Sequence, residues 1–108
     1  MGLGQLDAAR ENLTLAEEYN RTYWPALLAL GTLEQKEGRP RESINYFSRA
    51  LSQNPSPAAR AEVNYRLGEI YVSLGKRGTA MGYLKTAVTQ SPEGQWGKKS
   101  EEYLKILR

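Results

Sequence analysis

An internal repeat is the feature that most constrains how this chain can fold. The stretch GRPRESINYFSRALSQNP, residues 38–55, recurs as GKRGTAMGYLKTAVTQSP, residues 75–92, with Gly, Tyr, Ala, Gln and Pro at matching places. Leu30–Gly31 recurs as Leu67–Gly68 at the same offset of 37 residues, and Leu67 recurs again as Leu104. Repeats of this length are units of supersecondary structure that stack on their neighbours. The chain is therefore predicted to be an array of stacked units.

Each repeat is predicted to form two α-helices. Leu27, Leu30 and Leu33 recur at helical spacing, which places them on one face of a first helix. Gly38 then ends that helix, and Pro40 suits the first turn of the next helix because its missing N–H is not needed there. No segment shows sustained period-two alternation, so the predicted fold class is all-α. The other positions expected to face inward are Ile44, Phe47, Ala50, Leu51, Val63, Leu67, Ile70, Leu74, Met81, Leu84, Ala87, Val88, Leu104 and Leu107.

A length of 108 residues predicts one domain, here with about six helices. Gly38, Phe47 and Ala50 are matched 34 residues earlier by Gly4, Leu13 and Ala16, which extends the pattern to the start of the chain. The predicted divisions are a leading half repeat at 1–21, a first full repeat at 22–56, a second full repeat at 57–93 and a closing helix at 94–108.

This organisation resembles the tetratricopeptide repeat (TPR) family, whose pattern is W-x2-L-G-x2-Y, then A-x3-F, then P. The matches are Leu27 at the Trp place, Leu30, Gly31, Ser43, Phe47, Ala50 and Pro55 in the first full repeat, and Leu67, Gly68, Tyr71, Gly75, Ala80, Leu84, Ala87 and Pro92 in the second. The departures are Glu34 at the Tyr place of the first repeat and Asn64 at the Trp place of the second. The resemblance implies helical hairpins stacked into a right-handed superhelix, with a concave groove lined by the first helix of each pair.

The residues that recur are of packing types. Gly31 and Gly68 would let the partner helix approach closely, and Phe47 and Leu84 would fill the space between hairpins. The recurring residues are therefore interpreted as core and turn positions and not as catalytic ones. They say nothing about the choice of partner.

The resemblance also implies which residues line the groove and bind a partner. These candidates are Leu28, Thr32 and Gln35 in the first full repeat, Glu62, Tyr65, Arg66 and Glu69 in the second, and Lys99 and Glu102 in the closing helix. Tyr and Arg are enriched at binding hot spots, so Tyr65 and Arg66 are the candidates most expected to contact a partner. The alternative interpretation is a surface pair between Glu62 and Arg66 beside a half-buried Tyr65.

The residues at these groove positions argue against one function found among TPR proteins. In TPR proteins that bind chaperone C-termini, Lys and Asn in the first helix of a unit hold the terminal carboxylate. Here Leu28, Thr32, Tyr65 and Glu69 stand at those places. An apolar and acidic set would not hold a carboxylate.

The composition favours a binding protein over an enzyme. The chain has no Cys and no His, so it lacks a thiolate nucleophile, the commonest general base near neutral pH and the commonest metal ligand. The sequence contains no Gly-rich phosphate loop and no metal-ligand cluster. We predict no enzymatic activity, no cofactor and no metal site.

Charge leaves a second interpretation open. The formal net charge is +3, and from Lys76 onward seven basic residues stand against three acidic ones. A solvated helical surface accounts for this excess. The alternative is that the basic C-terminal portion binds nucleic acid or an acidic partner.

The preferred prediction is a TPR adaptor, part of a larger bacterial protein, that binds a protein or peptide partner. Since the leading half repeat at 1–21 lacks its first helix, self-association or a partner helix is expected there. The 37-residue spacing also resembles TPR segments of bacterial envelope proteins. No signal peptide or membrane span is present in the sequence, which leaves a cytoplasmic protein or an excised fragment of an envelope protein as expectations.

Overall fold

A computed structural model of the chain describes residues 23–108. These residues form five α-helices and no strand, which confirms the predicted all-α helical repeat fold. The helices are α1 (Trp24–Lys36), α2 (Pro40–Ser52), α3 (Pro57–Ser73), α4 (Arg77–Gln90) and α5 (Gln95–Leu107). The predicted leading half repeat at 1–21, with the self-association expected there, lies outside the described residues.

The chain separates into two compact units. The first ends at Asn54, and the second spans Pro55–Arg108. Within the first unit α1 packs against α2; within the second, α3 packs against α4, and α5 packs against both. Each unit thus contains one helical hairpin of the predicted kind, and the second unit adds the closing helix. The finer boundaries at 21, 56 and 93, within one domain, stay a prediction.

The core of each unit consists of the apolar positions predicted from the repeat. In the first unit the side chains of Leu27, Leu30 and Leu33 on α1 and of Phe47 and Ala50 on α2 are buried. The second unit has a buried cluster from α4 and α5 that is completed by half-buried apolar side chains from α3, α4 and α5. Its members are Leu84, Leu104 and Leu107, with Tyr65, Val72, Met81, Val88 and Tyr103 packed against them.

The turns between paired helices depend on glycine, as the sequence predicted. Gly38 and Gly75 follow the first helix of each pair with φ of +74° and +77°, a backbone conformation that residues with a Cβ rarely adopt. The prediction that Leu74 faces inward is wrong: 44% of this residue is exposed. The reason is that α3 ends at Ser73, so Leu74 already belongs to the turn and no longer follows the helical spacing of Leu67 and Ile70.

Candidate partner-binding face

Helices α3 and α5 of the second unit form a shallow depression of about 440 Å³ on one side of their contact. We call this surface the α3–α5 face, and the residues that line it are Tyr65, Glu69, Lys99, Glu102, Tyr103 and Ile106. Tyr65 and Glu69 lie four positions apart on α3, and on α5 both Glu102 and Tyr103 lie three or four positions from Lys99 and from Ile106, which places the lining residues on one side of each helix. Four of the six, Tyr65, Glu69, Lys99 and Glu102, are groove candidates from the sequence, and the structure brings these four together.

Three aromatic rings form the centre of this region. The ring centroid of Tyr65 lies 5.5 Å from that of Trp96 and 6.3 Å from that of Tyr103, with interplanar angles of 45° and 56°. These are the separations of favourable tilted aromatic pairs. All three residues are half-buried, so part of each residue stays open to solvent.

Two cations lie over Trp96. The guanidinium carbon of Arg66 is 5.1 Å from the Trp96 ring centroid, and the Lys99 Nζ is 4.6 Å from it. Arg66 Nε also donates a hydrogen bond of 3.0 Å to Glu62 Oε2, so the surface pair expected between these two residues is present. Each cation is within the distance at which an indole ring attracts positive charge. Both sequence interpretations of Arg66 therefore remain compatible with the structure.

Glu69 lies close to the hydroxyls of two tyrosines. Burial raises the pKa of Tyr65 above its ordinary value of 10.0, and the negative charge of Glu69, which accepts a hydrogen bond from the Tyr65 hydroxyl, raises it further. Burial and then the same carboxylate also raise the pKa of Tyr103. The same carboxylate therefore interacts with both tyrosines that line the face.

Sequence reasoning missed two residues of this region. Neither Trp96 nor Tyr103 was among the groove candidates. The available signal was helical spacing, because Tyr103 follows Lys99 by four positions and so shares its side of α5.

The remaining groove candidates lie in the first unit. Leu28, Thr32 and Gln35 are half-buried on α1. The Thr32 hydroxyl donates a hydrogen bond of 2.9 Å to the Leu28 carbonyl oxygen, one helical turn earlier. Their role in binding a partner stays a prediction.

Metal-binding and membrane-spanning features were also sought in residues 23–108. In that range no group of three or more acidic side chains is arranged to hold a metal ion. None of its helices combines the length and the apolar character that crossing a membrane requires.

Comparison with known families matches both hairpins. A family model described as tetratricopeptide repeat matches residues 25–57 and matches again at residues 61–93. The two consecutive matches cover more than half of the chain, and they fall on the helix pairs α1–α2 and α3–α4. No curated protein matches the chain.

Proposed function

Since this chain belongs to the tetratricopeptide repeat family, whose repeats generally mediate protein–protein interaction, we propose that it binds a protein segment on the α3–α5 face. Proteins of this family are typically non-catalytic scaffolds. The proposed role is accordingly that of an adaptor that holds a partner and performs no reaction on it.

The single observation that supports this surface most strongly is its aromatic centre. Tyr65, Trp96 and Tyr103 present three large rings that remain partly open to solvent, and Ile106 beside them is 78% exposed. Large aromatic side chains surrounded by polar groups are typical of the energetic centres of protein interfaces. Covering these rings with a partner would remove apolar surface from water.

The internal contacts of the same residues favour binding as well. Arg66 is held by Glu62 on one side and lies over Trp96 on the other, and the Tyr65 hydroxyl is held by Glu69. Side chains that are already ordered lose less conformational entropy when a partner binds. The surface pair between Glu62 and Arg66 is thus part of a preorganised surface and does not argue against binding.

The test compares two matched Tyr–Arg pairs in the same chain. Tyr65→Ala alters the α3–α5 face and Arg66→Ala removes the cation over Trp96 beside it, whereas Tyr46→Ala and Arg49→Ala alter a pair on α2, where the Arg49 guanidinium lies 5.7 Å from the Tyr46 ring centroid. Ligands selected from a random peptide display library on the wild-type chain should lose affinity for the first two variants and keep it for the second two. Equal binding to all four variants would refute the proposal.

The nucleic-acid alternative can be tested with variants of the same chain. Lys98 and Lys105 are exposed on α5, with Glu101 and Glu102 between them in sequence. RNA or DNA binding that weakens with salt, and that Lys98→Gln with Lys105→Gln reduces while Tyr65→Ala does not, would support the alternative. No retention of RNA or DNA at low salt would exclude it.

A further inference from the structure

We propose that the α3–α5 face binds a partner segment through a cationic side chain, arginine or lysine, that packs on the exposed surface of Tyr65 and Tyr103 and is held by Glu69 and Glu102. This inference rests on the proposed function and specifies the chemistry of the partner. It follows from how charge and aromatic surface are distributed over the six lining residues.

Charge is unevenly distributed over the α3–α5 face. Lys99 is the one cation among the lining residues, and its Nζ lies 4.6 Å from the Trp96 ring centroid. Glu69 and Glu102 are the two anions that line the depression. The lining residues thus carry two carboxylates against one ammonium group, and a cation that enters the depression meets complementary charge.

The two tyrosine rings suit the rest of such a side chain. Tyr65 and Tyr103, with ring centroids 6.3 Å apart and planes tilted by 56°, line the depression with adjoining aromatic surface. The methylene stem of arginine or lysine packs on apolar surface while its charged head reaches polar groups. A guanidinium also stacks on aromatic faces, so arginine gains more from this geometry than lysine does.

Glu69 lines the depression at the place where the charged head would lie. Its carboxylate accepts a hydrogen bond from the Tyr65 hydroxyl and also raises the pKa of Tyr103. A partner guanidinium would add a charged hydrogen bond to a carboxylate that already has partners within the chain. Glu102 on α5 supplies a second carboxylate across the depression, at an exposed position.

Ile106 indicates what lies next to the cation. Its side chain borders the depression and is 78% exposed. An apolar residue beside the arginine or lysine in the partner would cover it and gain from leaving water. The partner segment is therefore expected to carry a basic residue next to an apolar one. An acidic partner residue in place of the basic one would be repelled by Glu69 and Glu102.

The first experiment selects ligands from a random peptide display library on the complete 108-residue chain. Selected peptides are expected to be enriched in arginine or lysine beside an apolar residue. Binding is then measured by the fluorescence of Trp96 in a Trp24→Phe background, because the Trp96 ring lies 5.5 Å from Tyr65. Replacing the basic residue of a selected peptide by glutamine should weaken its binding about tenfold, as expected for loss of charged hydrogen bonds.

Matched variants then test the two carboxylates. Glu69→Gln and Glu102→Gln should each weaken binding of the selected peptides about tenfold. Glu93→Gln, which removes an exposed carboxylate from the turn between α4 and α5, should leave binding unchanged. Glu102→Lys should instead favour peptides with an acidic residue at the selected position.

The outcomes separate this inference from the proposed function. If selected peptides lose affinity for Tyr65→Ala, carry no excess of basic residues and bind Glu69→Gln and Glu102→Gln normally, the cationic partner is wrong while the proposed function stands. If selection returns no peptide, or only peptides indifferent to Tyr65→Ala, both proposals are overturned.

Discussion

The Phe47 ring packs so closely over Gly31 that a Cβ on Gly31 would lie 2.6 Å from two carbon atoms of that ring. Leu84 has the same relation to Gly68, where a Cβ would lie 2.7 Å from Leu84 Cγ and Cδ2. Both side chains are fully buried and have little room to move. Glycine at positions 31 and 68 therefore allows the two helices of each hairpin to approach closely.

Alanine at either of these glycines should destabilise its hairpin. For Gly31→Ala and Gly68→Ala we expect the free energy of unfolding to fall, because overpacking a core costs about 1–3 kcal/mol. This loss outweighs the gain of about 0.5–1 kcal/mol in helix propensity. Urea unfolding followed by circular dichroism measures the difference.

Gly82 on α4 provides the control for that measurement. A Cβ built on Gly82 has no atom within 4 Å, so alanine there meets open space. Gly82→Ala should raise the free energy of unfolding by about 0.5–1 kcal/mol through helix propensity alone. A gain of the same size for Gly31→Ala would show that the close approach is not needed.

A second prediction concerns the one recurring position where the two hairpins differ by a hydroxyl. Ser43 in the first unit corresponds to Ala80 in the second, and both are fully buried. Ser43 Oγ donates a hydrogen bond of 2.6 Å to the Gly31 carbonyl oxygen, which ties α2 to α1. Ser43→Ala should lower the free energy of unfolding by about 0.5–1.5 kcal/mol through loss of this bond.

The matched control for Ser43 is Ser48, which is exposed on the same helix. Ser48→Ala brings the same small gain in helix propensity without loss of a buried bond. The difference between the two variants, from parallel thermal unfolding, therefore isolates the hydrogen bond. Indistinguishable stabilities would contradict the prediction.

The packing of the hairpins was predictable because both repeats share it. Gly31 and Phe47 recur as Gly68 and Leu84, and recurrence at a fixed period singles out residues with the same task in each unit. The α3–α5 face was predicted only in part. Leu104 and Leu107 are buried as predicted, which fixes how α5 is rotated, but the contacts of Trp96 with Tyr65, Arg66 and Lys99 depend on side-chain conformations that helical spacing does not determine.

A third prediction is that Arg66 contributes little to stability. Its ion pair with Glu62 is partly exposed, and such i,i+4 pairs contribute about 0.3–0.5 kcal/mol. Its contact with Trp96 adds about 0.5–1 kcal/mol. Arg66→Ala should therefore lower the free energy of unfolding by no more than about 1.5 kcal/mol, whereas Leu84→Ala in the core should lower it by about 2–5 kcal/mol.

This difference decides how binding data for Arg66→Ala are interpreted. Chemical unfolding of both variants under one set of conditions measures it directly. If the free energy of unfolding of Arg66→Ala falls only by the expected small amount, reduced peptide binding by this variant reflects the missing guanidinium. A loss as large as that of Leu84→Ala would mean that the variant disturbs the fold.

A fourth prediction is that the second unit loses stability in alkaline solution. Burial raises the pKa of Tyr65, Tyr83 and Tyr103 above 10.0, and a neighbouring carboxylate or tyrosine raises it further. For Tyr83 the neighbour is Tyr71, whose ring is stacked on it with centroids 5.3 Å apart. In each case the folded state holds the phenolic proton more tightly than the unfolded state does.

The sign of the pH dependence follows from proton linkage. Above pH 10 the unfolded chain binds fewer protons at these tyrosines than the folded chain, so the free energy of unfolding falls as pH rises. The stabilisation is fully present below pH 10 and is lost as pH rises through the folded-state pKa values. Tyr65→Phe removes one of the three phenols, and its urea midpoint should fall less steeply with pH than that of the wild type. Parallel pH profiles for the two proteins would show that the Tyr65 hydroxyl does not contribute.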